Sequence, residues 1–284
     1  MPKEKDVEVS ETKALVVSAP SFLGDDDYDA GFETADKDAY AIPFIQVLQK
    51  MSPAVDEDNP KYIKDAKPGM FLNTVSQRLY DGKDGILIVP CYFKRSFILW
   101  GARANGGGFK GEFTPEDMAA MEKDPTLVKT VDGKMFKPDE DGSVNEKKSD
   151  HYSDTRSHYI LLLDEKTGTV EQAILSLSST QVKASKMFMT SLRQRKVDRG
   201  GQKATPPMYA NVARVTTVGE ANDKGTWSGV RFELEGLIKD ADLFMEAKSF
   251  HHGVSSGALK ADYSKSPSAE AGGVEDEPTV AEGF

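Results

Sequence analysis

Gly85-Ile-Leu-Ile-Val-Pro-Cys-Tyr92 and Ser96-Phe-Ile-Leu-Trp100, with Phe93-Lys-Arg95 between them, carry the strongest strand pattern in the chain. Their β-branched and aromatic side chains follow the turn pairs Asp81-Gly82 and Asp84-Gly85, so they read as two strands. Gly69-Met-Phe-Leu-Asn-Thr-Val75 reads as a strand before those turns, and a meander is expected. Farther along, His158-Tyr-Ile-Leu-Leu-Leu163, the Lys166-Thr-Gly168 turn and Thr169 to Leu177 make a hairpin. Ser178 or Ser179 is placed to cap a helix running to about Lys196. Two more strands, Met208 to Val218 and Thr226 to Ile238, flank the polar turn Asn222-Asp-Lys-Gly225. A last helix from about Asp240 sets Leu243, Ala247, Phe250 and Val254 on one face. Ile42 to Lys50 reads as a brief helix, kept short by Pro43 and Pro53. The sum is mainly β with α: an antiparallel sheet in an element order that suits an OB-fold-like barrel with flanking helices, though other α+β sheets share it.

Charge divides the chain. The 284 residues carry a net −10, yet residues 1–40 hold eleven acids against four lysines and residues 266–284 hold five acids and no base. That leaves +2 for residues 41–265. Three regions are expected: a disordered acidic arm over 1–40, a folded core over 41–265 and a disordered acidic tail over 266–284. Within the core, residues 61–110 carry nine bases against three acids, whereas 111–155 carry twelve acids against six lysines. The stretch around 104–157 lacks periodicity and reads as an insertion made of long loops, with one short helix opening at Thr114-Pro-Glu-Asp117.

Segregated charge of this kind suits a groove that follows a polyanion. Binding a single strand without reading its bases needs aromatic faces interleaved with cations. Phe93, Lys94, Arg95, Trp100, Arg103, Phe109 and Lys110 supply both, and Gly106 to Gly108 would form a lip. Alternation along a strand separates Phe97 and Leu99 from Ser96, Ile98 and Trp100, so some of these rings must belong to the core. On the helix at 179–196, Lys183, Lys186 and Arg193 gather opposite Val182, Ser185, Phe188 and Leu192, giving a cationic outer face. Arg195, Lys196, Arg199 and Lys203 carry that charge into a Gly-Gly loop. In the tail, Glu275, Asp276, Glu277, Glu282 and Phe284 join acid to an aromatic residue, the chemistry of a short peptide that docks in a basic, partly apolar pocket of a partner.

Enzyme signatures are missing. No Gly-x4-Gly-Lys-Ser/Thr or Gly-x-Ser-x-Gly occurs, and Cys91, His151, His158, His251 and His252 lack zinc-ligand spacing. Asp25-Asp26-Asp27 reads as solvated charge and not as a magnesium site. A non-catalytic protein without cofactor or metal is expected. The single cysteine excludes an internal disulfide, and no apolar run marks a signal peptide or membrane span, so a cytoplasmic protein is expected.

Several segments resemble a known group. Ala41-Ile-Pro-Phe-Ile-Gln-Val-Leu-Gln49 with Ser52-Pro53, Ala66 to Val75, Ile88 to Tyr92 and Trp100 to Phe109 resemble proteins of tailed bacteriophages, as do Leu177 to Lys183 and Thr217 to Trp227. The group is usually described as single-stranded DNA-binding or replication accessory proteins, and the similarity spans most of 41–263. The resemblance implies an OB-type fold and a role in coating single-stranded DNA in the host cytoplasm. The expected partners are then single-stranded DNA and, through the tail, phage or host replication and recombination proteins, with self-association left open. The competing readings are a structural or scaffold protein of the virion and a metal-dependent DNA-processing enzyme.

Overall fold

The computed structural model describes Gly24, Ala30, Gly31 and residues 40–266 other than Lys166 and Lys224. The fold is mainly β, a curled half-barrel sheet with three α-helices. Its axis is a pair of long antiparallel strands, β4 (Ile86–Trp100) and β8 (His151–Leu163). With the remaining strands numbered in chain order, β12 (Asn211–Asn222) pairs with the start of β4, and β13 (Gly225–Leu237) lies outside β12. On the other side, β9 (Val170–Ser178) pairs with the end of β8. At the far end of the two long strands, β5 (Phe109–Phe113) joins β4, while β7 (Lys134–Phe136) and then β6 (Lys129–Val131) join β8.

A second, small sheet closes part of the gap. It consists of β1 (Ile45–Val47), β2 (Phe71–Asn73) and β3 (Leu79–Tyr80). Phe44 bridges to Ile174 of β9, and Ile174 N–H donates to the Pro43 carbonyl at 2.9 Å. The sheet also reaches β12, where Thr217 N–H donates to the Gly82 carbonyl and its hydroxyl to that of Gly69. Only glycine fits at 82, because a Cβ there would stand 1.7 Å from the Gly69 oxygen.

Both faces of the main sheet are buried. Ile86, Ile88, Ile160, Leu162, Leu175 and Val215 pack under Phe188 and Leu192 of helix α2 (Val182–Gln194). On the opposite face, Leu87, Val89, Leu161 and Ile174 pack with Phe250 and Val254 of helix α3 (Ala241–Ser255), and with Tyr263. The far end has its own cluster, Phe97, Leu99, Val128 and Tyr152 with Met118 of helix α1 (Pro115–Met121). No helix among the described residues is long and apolar enough to cross a membrane.

The structure corrects four expectations. Ile42 to Lys50 holds the short strand β1 and no helix, because Ile45 and Val47 are buried where the segment fills a seam between β9 and β2. The two strands at 85–92 and 96–100 are one strand of 15 residues, β4, interrupted by a bulge at Pro90–Tyr92 where proline has no N–H to give. The stretch 101–157 is more regular than loops. Thr114 and Asp117 close a capping box on α1, β5 to β7 follow, and β8 begins at His151, seven residues before the expected His158. Ser178 precedes the turn into α2 without making a side-chain cap bond, and a 3-10 turn at Ser179–Gln181 leads in.

Candidate nucleic-acid interface

The bulge in β4 decides where the expected binding residues point. Before it, Leu87, Val89 and Cys91 face α3; after it, Phe93, Arg95, Phe97 and Leu99 face the side that α1 and α2 cover. One extra residue reverses the alternation. Phe93 and Arg95 therefore share a face, and Lys94 and Trp100 lie on the other.

On the first face, α2 packs at the level of His158 and α1 at the level of Phe97, with the Arg95 row between them in register. Arg95 stands opposite Arg156. Both guanidinium groups grip Asp154 in forked pairs: Arg95 Nε and Nη2 donate at 3.1 and 2.8 Å, and those of Arg156 at 3.0 and 2.9 Å. Burial works against the Asp154 charge, but the two arginines outweigh it and hold the carboxyl below its usual range. Two cations on one carboxylate leave a surplus positive charge. Arg156 is nearly buried, whereas the Arg95 side chain is 39% exposed and lies over the Phe97 ring. Phe93 is half-buried, its ring 5.2 Å from that of His158.

His158 anchors this floor from below. It is fully buried among Phe93, Phe188 and Phe232, and Nε2 meets the Ser185 hydroxyl at 2.8 Å. Burial, helped by the Arg156 charge, presses its pKa from 6.5 to about 3, so the imidazole is neutral.

Beside the floor runs a basic strip. Lys183, Lys186 and Arg193 are exposed on α2, opposite the buried Ser185, Phe188 and Leu192. The expected Gly-Gly loop is a hairpin of β10 (Val197–Arg199) and β11 (Gln202–Ala204), turned by Gly200 and Gly201, both at positive φ. It exposes Arg199 and Lys203, and residues 183–203 hold seven bases against the lone acid Asp198. Arg195 is taken up structurally, donating to the Gly236 carbonyl.

The other expected residues are committed elsewhere. Trp100, expected among the exposed rings, is instead 3% exposed and packed in the α3-side core, edge to face with Phe109. Phe109 remains 37% exposed but stacks on Tyr263. Lys94 pairs with Glu112 at 2.8 Å, and Lys110 with Asp150 at 2.7 Å. Arg103 opens a 3-10 turn before β5, and Gly106 to Gly108 all take positive φ. Glu275, Asp276, Glu277, Glu282 and Phe284 lie outside the described residues, as does Asp25-Asp26-Asp27. Among the described residues no group of three or more His, Cys, Asp or Glu is placed to hold a metal ion. Cys91 is buried, its thiol pushed up to about 12 by desolvation.

Asp154 and Arg156 were missed by sequence reasoning. Their signal was the period-two run Tyr152, Asp154, Arg156, His158, hidden because a strand with polar residues on both faces reads as loop.

A family model described as Pam3 phage gp34-like protein matches residues 10–260. The chain belongs to the Pam3 phage gp34-like family. It is a bacteriophage protein, and the match takes in the whole of the main sheet and all three helices. No curated protein and no solved structure matches it.

Proposed function

We propose that this gp34-like protein is a non-enzymatic single-stranded DNA-binding protein that coats and protects DNA during phage replication or recombination. One observation carries the reading: Phe93 and Arg95 lie side by side on the part of β4 left between α1 and α2, next to a strip of exposed cations on α2 and the β10–β11 hairpin. A ring and a cation at adjacent same-face positions offer stacking to a base and charge to its phosphate. The strip adds a track for the backbone. In this reading the acidic tail recruits replication partners, and the protein works in the host cytoplasm.

The test is fluorescence anisotropy with oligo(dT) and a matched duplex at two salt concentrations. Salt-sensitive binding to the single strand, with weak binding to duplex, is the expected outcome. Equal affinity for both, or none for either, would sink the proposal. Stable assembly without DNA together with presence in purified particles would support a virion role instead.

A further inference from the structure

The chain has two tryptophans. Trp100 belongs to the core, whereas Trp227 of β13 is half-buried near the turn of the β12–β13 hairpin. It lines a mostly apolar cleft of about 360 Å³ with Gln49, Lys50, Pro68, Gly219 and Thr226. The cleft forms where the hairpin meets the segment after β1. There the Gln49 carboxamide clamps the Ser228 backbone, accepting from its N–H at 2.9 Å and donating to its C=O at 3.0 Å. The Lys50 ammonium donates to the Thr226 hydroxyl at 2.8 Å. Trp227 Nε1 donates to Glu220 on the facing strand at 2.8 Å, which fixes the indole. Gly219 stands opposite Ser228 at ordinary φ, and a Cβ there would meet no atom within 4 Å. Neither conformation nor crowding asks for glycine at this point, and a strand glycine free of both marks a place where another group can approach closely.

We propose that this cleft is a stacking subsite for one base of a bound single strand, with Lys50 on the adjoining phosphate. The inference rests on the single-stranded DNA reading above and extends it to a second place on the molecule. An indole face offers a stacking surface that any base can use, and a neighbouring cation meets the backbone. Lys50 is exposed, and with one N–H given to Thr226 it has two left to donate. Lys67, also exposed, precedes Pro68 at the rim. Glu220 is the one carboxylate in the lining among the described residues, and it is engaged by the indole N–H.

With two tryptophans, intrinsic fluorescence of the full chain reads the subsite directly, measured with oligo(dT) alongside anisotropy. Stacking on Trp227 should quench the emission of the wild type as the oligonucleotide binds. Trp227→Phe should lose that quench, because the remaining Trp100 is buried. Trp227→Ala and Gly219→Leu should each weaken binding about tenfold, the first by removing the stacking face and the second by filling the cleft. Lys50→Ala should lower the salt slope by about 0.7. Thermal unfolding serves as the folding control, and Gly219→Leu, which adds a side chain in open space and removes no contact, carries the test if Trp227→Ala fails to fold. Binding without a quench, or wild-type affinity in the folded Gly219→Leu variant, would overturn the subsite and leave the strand-binding reading standing. No rise in anisotropy with the wild type would overturn both.

Discussion

Phe93 and Trp100 are both large aromatics on one strand, and their fates differ because of a single extra residue at the Pro90–Tyr92 bulge. Periodicity separates Phe97 and Leu99 from Ile98 and Trp100, but it cannot fix which set is open, since both faces of the sheet are covered over part of their length. The two rings therefore predict opposite phenotypes. Trp100→Ala should destabilise the fold by about 3–5 kcal/mol in urea unfolding, as a large buried ring is lost. Phe93→Ala should keep most of its stability yet weaken single-strand binding by about 1–3 kcal/mol with the salt slope unchanged, while Arg95→Ala should lower that slope by about 0.7. Wild-type affinity in both Phe93→Ala and Arg95→Ala would remove β4 from the interface. His158 sets a pH limit beneath the same floor. Its folded pKa is depressed from 6.5 to about 3, so the unfolded chain takes up the proton first on acidification. The stabilising effect of a neutral His158 is complete above about pH 6.5 and is lost as pH falls toward about 3. The stability gap between wild type and His158→Gln, read from urea midpoints, should shrink across that window; a gap that stays constant would contradict the assignment.

Elements with one clean period were legible, and those shaped by distant partners were not. Helix α2 shows its face in the sequence because Ser185, Phe188 and Leu192 recur at helical spacing, and β12 and β13 announce themselves through the turn between them. The segment at 42–50 misleads because its strand character comes from β2 and β9, to which Phe44 and Ile45 bond, and no local pattern reports a neighbour so far away in the chain. Gly200-Gly201 reads as a loop in the sequence, yet paired positive φ values make it a hairpin turn that carries Arg199 and Lys203 on paired strands. Lys183, Lys186 and Arg193 are all exposed on α2, so replacing the three together with alanine should change thermal stability by no more than about 0.5 kcal/mol per site. If the strip follows a DNA backbone, the same triple variant should lower the salt slope of single-strand binding by about 2, roughly 0.7 for each lost contact. An unchanged slope would leave those charges as solvation alone.

At the scale of the whole molecule, the sign of the net charge conceals the arrangement that matters. A chain of net −10 looks unsuited to DNA, but residues 1–40 and 266–284 hold sixteen of the acids, and residues 41–265 are left at +2 with seven bases against one acid along 183–203. The field near that strip is set by local charge, and a tethered acidic segment near it competes with phosphates at a high effective concentration. Deleting residues 266–284 removes five negative charges and no positive one. Binding to oligo(dT) should therefore tighten, and the gain should be largest at low salt, where the Debye length reaches about 30 Å at 0.01 M and the tail is felt across more of the surface. Raising the salt should bring the truncated and full chains together, because screening weakens the competitor along with the DNA. Equal affinities at low salt would show that the acidic tail does not reach the strip, and would confine its role to the capture of other proteins.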